Sequence, residues 1–231
     1  PAHYSIALVI FNTPAAQRSQ PQPMRLSDYP KAKRLEDFEA YPQRSGNTCG
    51  PVAVRHVLKY LTGTLHDEQE LMRYVVAADH KHLAHLAEDL RAIGVPDPKM
   101  LSLYGTTPAG NTRALNKHLA SKSLKAEFRS IRSWDERLLL IVESINQGCP
   151  VVAPLVSASL HHWTVIIGYD LERKTLLGVN SLIGVPSRQP HGGTYFTVPF
   201  REFDRANSFE PLPAGLLGRV FALANKKDLG R

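Results

Sequence analysis

The chain holds two cysteines, and their surroundings set them apart. Cys49 stands in Gln43-Arg44-Ser45-Gly46-Asn47-Thr48-Cys49-Gly50-Pro51, a polar stretch just ahead of apolar residues at helical spacing. Asn47 or Thr48 can cap that helix, and Pro51 suits its first turn. A thiol at a helix start meets unpaired N–H groups and the positive end of the dipole. Both favour the thiolate, which is the nucleophilic form. The same N–H groups can receive the negative oxygen of a tetrahedral intermediate, and Gln43, six residues upstream, can add a second donor. Cys149 instead opens an apolar run, Gly148-Cys149-Pro150-Val151-Val152, where a thiol behaves as a small buried hydrophobe. No disulfide between the two is expected.

A thiol nucleophile needs a base, and the base needs an orienting partner. His161-His162-Trp163-Thr164-Val165-Ile166-Ile167-Gly168-Tyr169-Asp170 places two histidines at the entry to an apolar strand. Asn180-Ser181 follows beyond a turn at 170–174. Antiparallel pairing across that turn returns Asn180 to the start of the histidine strand, where its amide oxygen can accept the imidazole N–H. His161 and His162 point to opposite sides of the strand, and both sides are apolar, so alternation does not choose between them. Each residue also has a plain structural reading: Cys49 as a buried helix start, Gln43 as a solvated side chain, the histidine as a strand edge and Asn180 as a turn residue. Trp163 can shield the histidine–asparagine contact or serve as core, and Asp170 reads as a turn residue. His80, His82 and His85 lack a clean i, i+4 pair and read as a solvated helix face, not a zinc site. No metal or cofactor is expected.

In the order Gln43, Cys49, His162, Asn180, these residues resemble the papain-like cysteine peptidase superfamily. Thr48-Cys49-Gly50-Pro51, Gly110-Asn111-Thr112 leading a helix, and Gly148-Cys149-Pro150-Val151-Val152 shortly before His162-Trp163 are most similar to its bacterial branch related to bacteriocin-leader (double-glycine) peptidases. Asn180 stands where that branch usually carries Asp. The resemblance covers about residues 40–200 and favours His162 over His161 as the base. It implies a peptidase in which Cys49 attacks, His162 moves the proton, Asn180 orients His162, and Gln43 with the Cys49 N–H holds the oxyanion. The same fold and thioester could serve a glutamine deamidase or transamidase acting as a secreted effector or toxin, or the fold could persist as a non-catalytic binding module.

The elements that would position these groups follow from periodicity. A strand is expected at 4–11 and an irregular, Pro- and Gln-rich leader over 12–48. Val52, Val54, Val57, Leu58 and Leu61, with Gly63 after them, predict a helix over 49–62. Further helices are expected at 67–78, 82–93, 111–120 and 134–147, with a strand at 126–131. Short β-rich runs follow at 151–156, 163–169, 175–179, 194–200 and 220–223. Helices first and strands second is an α+β pattern. The expected organisation is a leader over 1–40 and a thiol-hydrolase domain over 41–231. In that domain a helical part (41–147), with the nucleophile helix, packs on an antiparallel β part (148–225).

Composition narrows the function classes. The 231 residues are 43% apolar and 21% charged, which excludes a disordered chain. The formal charge is +7, and it is unevenly placed. Residues 1–60 carry 8 basic and 4 acidic side chains and 181–231 carry 7 and 4, whereas 61–180 is balanced. No basic stripe with interleaved aromatics is present, so no nucleic-acid partner is expected. The surplus at the two ends suits an acidic protein partner instead. The substrate is expected to be a polypeptide. No stretch has the roughly 18 apolar residues of a membrane span, and 4–11 lacks the features of a cleavable signal. A soluble protein is expected, cytoplasmic or exported without a cleavable signal.

Overall fold

The computed structural model describes residues 4–12, 24–44, 48–84, 106–120, 124–131, 133–156, 161–181 and 194–209. Its centre is a sheet of eight strands, every pairing antiparallel. The strands are β1 (Tyr4–Asn12), β2 (Ala32–Arg34), β3 (Leu124–Ile131), β4 (Val151–Val156), β5 (His161–Asp170), β6 (Thr175–Asn180), β7 (Thr194–Pro199) and β8 (Ser208–Phe209). The main path runs β3-β1-β4-β5-β6-β7, with β2 on β5 and β8 on β1. Five helices are present among the described residues: α1 (Cys49–Thr62), α2 (Glu68–Ala84), α3 (Pro108–Leu119), α4 (Trp134–Asn146) and α5 (Phe200–Asn207). This is the α+β architecture expected from the sequence, with helices packed on an antiparallel sheet.

The first strand is not set apart from the rest. β1 pairs with β3 along its length and touches β4 at Leu8↔Val152, so a chain division at residue 40 coincides with no break in the sheet. The irregular surface leader expected over 12–48 needs correction where it is described. Leu26–Asp28 form a 3-10 turn, β2 pairs with β5, and Leu35, Phe38 and Ala40 are buried in the core. Proline-rich composition hid these short contacts, which carry no period.

The helices show where local signals decided and where they failed. α1 buries Val52, Val54, Val57 and Leu58 completely, each contributing about 1.5–3 kcal/mol. It ends as predicted at Gly63, whose left-handed backbone (φ 75°) lets its N–H reach the Lys59 carbonyl. The expected break between 78 and 82 is absent. α2 continues to Ala84, because 77–84 holds neither Gly nor Pro. α3 starts three residues before the expected 111, since Thr107 accepts from the Gly110 N–H and Pro108 occupies the first helical position. After β7 the sequence pattern suggested only strand, yet Phe200–Asn207 is helical and buries Phe203. Its anchor is polar: the buried Arg137 guanidinium meets Asp204 at 2.7 Å and Asn207 at 3.0 Å. The strand expected at 220–223 and most of the helix expected at 82–93 lie outside the described residues. So does much of the basic surplus at the chain ends.

Candidate active site

The start of α1 brings Cys49 against β5. The thiol is 5% exposed, and burial raises its pKa above the ordinary value. Backbone groups of Trp163, Gly50 and Cys49 itself hydrogen-bond the sulfur and partly offset that rise. Trp163 directly follows His162, so nucleophile and imidazole share one corner of the fold.

Thr48 is the residue before α1, but its side chain does not cap the helix. An N-cap oxygen normally accepts from the second or third helical N–H. Here the third residue is Pro51, which has no N–H, and the Thr48 hydroxyl donates to Glu68 Oε1 at 2.5 Å. The first N–H groups are therefore left to the sulfur and to whatever binds beside it. Asn47, the other expected cap, lies outside the described residues.

His162 opens β5 and is 3% exposed. Burial drives its pKa down to about 4, while a hydrogen bond with the Asn180 side chain raises it. Nε2 is buried with no hydrogen-bond partner, so the Asn180 contact is made through Nδ1. A contact that favours the charged ring is one in which Nδ1–H donates to the amide oxygen. The sheet explains the meeting. Val179 pairs with Val165, so Asn180, one residue further, falls on the face of His162 and diagonal to it. Burial thus moves the two groups in opposite senses, the thiol up and the imidazole down, each toward its neutral form.

Gln43 is 3% exposed and is tied to the residue after Asn180. Its backbone N–H donates to the Ser181 carbonyl at 2.9 Å, and the Ser181 hydroxyl donates to Gln43 Oε1 at 2.9 Å. Holding the oxygen end fixes the direction of the donor end, Nε2. The dipeptide 180–181 thus grips the imidazole with one residue and the glutamine with the next.

The four expected residues are thereby gathered around the α1 start and the first turn of β5. Among known families, the model of the Peptidase_C39 like family matches residues 35–205. The chain belongs to that family. Membership sets it among the papain-like cysteine peptidases, in the branch resembling bacteriocin-leader peptidases. No curated protein matches the chain.

Further supports of this Peptidase_C39-like site lie outside the four expected residues, and one of them, Thr106, carries no sequence signal of its own. Thr106 ties the helix to the histidine strand: its carbonyl accepts from the Trp163 indole at 3.0 Å. A Cβ on Gly50 would sit 1.8 Å from its Oγ1. Trp163 is buried and spends its N–H on that contact. Asn111 accepts from Thr106 Oγ1 at 3.2 Å and lies inside the first turn of α3. Asp170 is the turn residue expected, accepting from the Arg173 N–H at 2.8 Å. His161 belongs to β5, but its side chain lies outside the described residues, as do those of His80, His82 and His85. Among the described residues no group of three His, Cys, Asp or Glu is placed to hold a metal. Likewise, no described helix is long and apolar enough to cross a membrane.

Proposed function

We propose that the chain hydrolyses a peptide or isopeptide bond of a polypeptide substrate through a Cys49 thioester. The observation that carries this is the unpartnered, buried Nε2 of His162, beside a thiol already held by helix-start and strand N–H groups. In the substrate complex the thiol proton passes to Nε2 as the sulfur bonds to the carbonyl carbon, and the carbonyl electrons move onto oxygen. That oxygen is received by the Cys49 N–H and the Gln43 amide. Collapse breaks the C–N bond while His162 returns its proton to the leaving amine. A water, deprotonated by His162, then releases the acid and restores the thiol. Asn180 keeps the ring turned so that Nε2 faces the sulfur through both halves.

The basic surplus at the chain ends supports docking of an acidic protein partner. Deleting residues 1–40 cannot test this alone, because it removes β1 and the buried Leu35, Phe38 and Ala40. Turnover against rising salt is the cleaner measurement, and a flat response counts against docking.

The thioester is tested by acid quench of a reaction with a pooled peptide library, followed by intact-mass analysis. An acyl adduct on Cys49 that disappears in Cys49→Ala is expected. Undiminished hydrolysis by Cys49→Ala overturns the mechanism. A chain that forms no Cys49 acyl adduct and hydrolyses no member of the library points to a binding module on the same fold.

A further inference from the structure

Glu68 opens α2 and is 1% exposed, and none of the chemistry above uses it. A carboxylate so deeply buried is costly unless several donors face it. It finds them on one loop. The Arg44 N–H donates to Oε1 at 2.9 Å and to Oε2 at 3.2 Å, and the Thr48 hydroxyl donates to Oε1 at 2.5 Å. Arg44 directly follows Gln43, and Thr48 directly precedes Cys49. The three bonds therefore join Arg44 and Thr48, the neighbours of the two residues that would supply the oxyanion donors.

We infer that Glu68 is a positioning residue for the reaction, resting on the peptidase reading above. It acts in two ways. By holding Arg44 and Thr48 on a single carboxylate, it fixes the span between the Gln43 amide and the Cys49 N–H. By accepting from the Thr48 hydroxyl, it holds that side chain in a direction in which the oxygen does not cap α1, so the Gly50 and Cys49 N–H groups are left to the sulfur. A purely structural brace would act in the first way only. The diversion of the capping hydroxyl gives Glu68 a path to thiol reactivity itself. Its hydrogen bonds go to Thr48 and Arg44, and its effect runs through them.

The test uses the full chain with Glu68→Ala, Glu68→Gln and Thr48→Val, and two readouts. The first is the iodoacetamide alkylation rate of Cys49 from pH 6 to 9. The second is kcat and KM on a pooled fluorogenic peptide library. In Glu68→Ala the freed hydroxyl can cap Gly50, so alkylation at pH 7 should slow about tenfold and its pH profile move to higher pH. The value of kcat should fall about 100-fold with KM changed less than about threefold, as for a misplaced oxyanion donor. In Glu68→Gln the amide oxygen still accepts from Thr48, and alkylation should return to within about threefold of the parent. Thr48→Val removes the cap altogether and should leave alkylation near the parent rate while lowering kcat. Should Glu68→Ala fail to fold, the Gln and Val variants still separate the two actions. If Glu68→Gln and Glu68→Ala both lower only the melting temperature, with alkylation and kcat unchanged, the inference is wrong. If the parent alkylates as described but cleaves nothing, the peptidase reading fails while the effect of Glu68 on the thiol stands.

Discussion

Each cysteine has a glycine for a neighbour, and the two pairs are built on opposite principles. At Cys49 the next residue, Gly50, has ordinary backbone but no room: a methyl there would collide with Thr106. At Cys149 the preceding residue, Gly148, has open space around it but a left-handed backbone (φ 79°) that turns the chain from α4 into β4. One glycine is needed for close approach and the other for chain direction. The sulfurs follow suit. Burial raises both thiols, but only Cys49 is answered by backbone donors, whereas Cys149 merely points at the Gln147 carbonyl from 3.9 Å. Burial alone makes a thiol inert, and burial with directed N–H groups makes one that can be switched on.

Cys49→Ala should separate the two regions most, reducing turnover roughly a millionfold, to the floor of the assay, while the melt is nearly unchanged. Gln43→Ala should lower kcat about 100- to 1,000-fold with little change in KM, read on the same substrates. Gly50→Ala should cost about 1–3 kcal/mol in denaturant melts, because Thr106 and the indole hydrogen bond it supports must shift. Gly148→Ala should cost about 1–2 kcal/mol for its backbone alone and leave kcat in place.

Acid should weaken the Cys49 side of the molecule in particular. His56, on α1, is fully buried and accepts from the Tyr41 N–H at 2.7 Å, and burial lowers its pKa to about 3. The unfolded chain takes up that proton from about pH 6.5 downward, the folded chain only near pH 3. Stability is therefore complete at neutral pH and falls as the pH drops, by up to about 1.4 kcal/mol per unit for this histidine. His162, lowered to about 4, adds to the same loss. His56→Gln keeps an acceptor for Tyr41 and should flatten the slope by about one proton in chemical melts between pH 4 and 6. The smallest effect belongs to Cys149→Ala, about 1 kcal/mol of stability and a kcat within about twofold of the parent.

What the sequence disclosed depended on the range of the interaction. Val52, Val54, Val57 and Leu58 announce α1 because a helix repeats its burial every few residues. The return of Asn180 to the start of β5 was readable from one short turn, but its face was not: a bulge between Ile166 and Gly168 shifts the register by one residue and puts Asn180 on the side of His162, not of His161. Glu68, Thr106 and Ser181 were not readable: each acts through hydrogen bonds to residues far away in the chain, and no period marks such a contact. The Thr107-Pro108 start of α3 was a missed local signal, a cap followed by a proline suited to the first turn. α5 escaped for another reason. Its one fully buried apolar residue, Phe203, gives too little stripe to see, and its anchor is the distant Arg137.

The placement of β1 also has a temporal side. It emerges from the ribosome ahead of every one of its partners, Leu124–Ile131, Val152 and finally Ser208–Phe209. Its two long edges must wait unpaired while most of the chain is made, and closing the sheet is a high-contact-order event. The nucleophile helix, formed from local contacts, will be in place well before the sheet that presents the imidazole to it. A nascent chain of this protein therefore carries its thiol long before it carries a site, and its first strand is the segment a chaperone would need to guard.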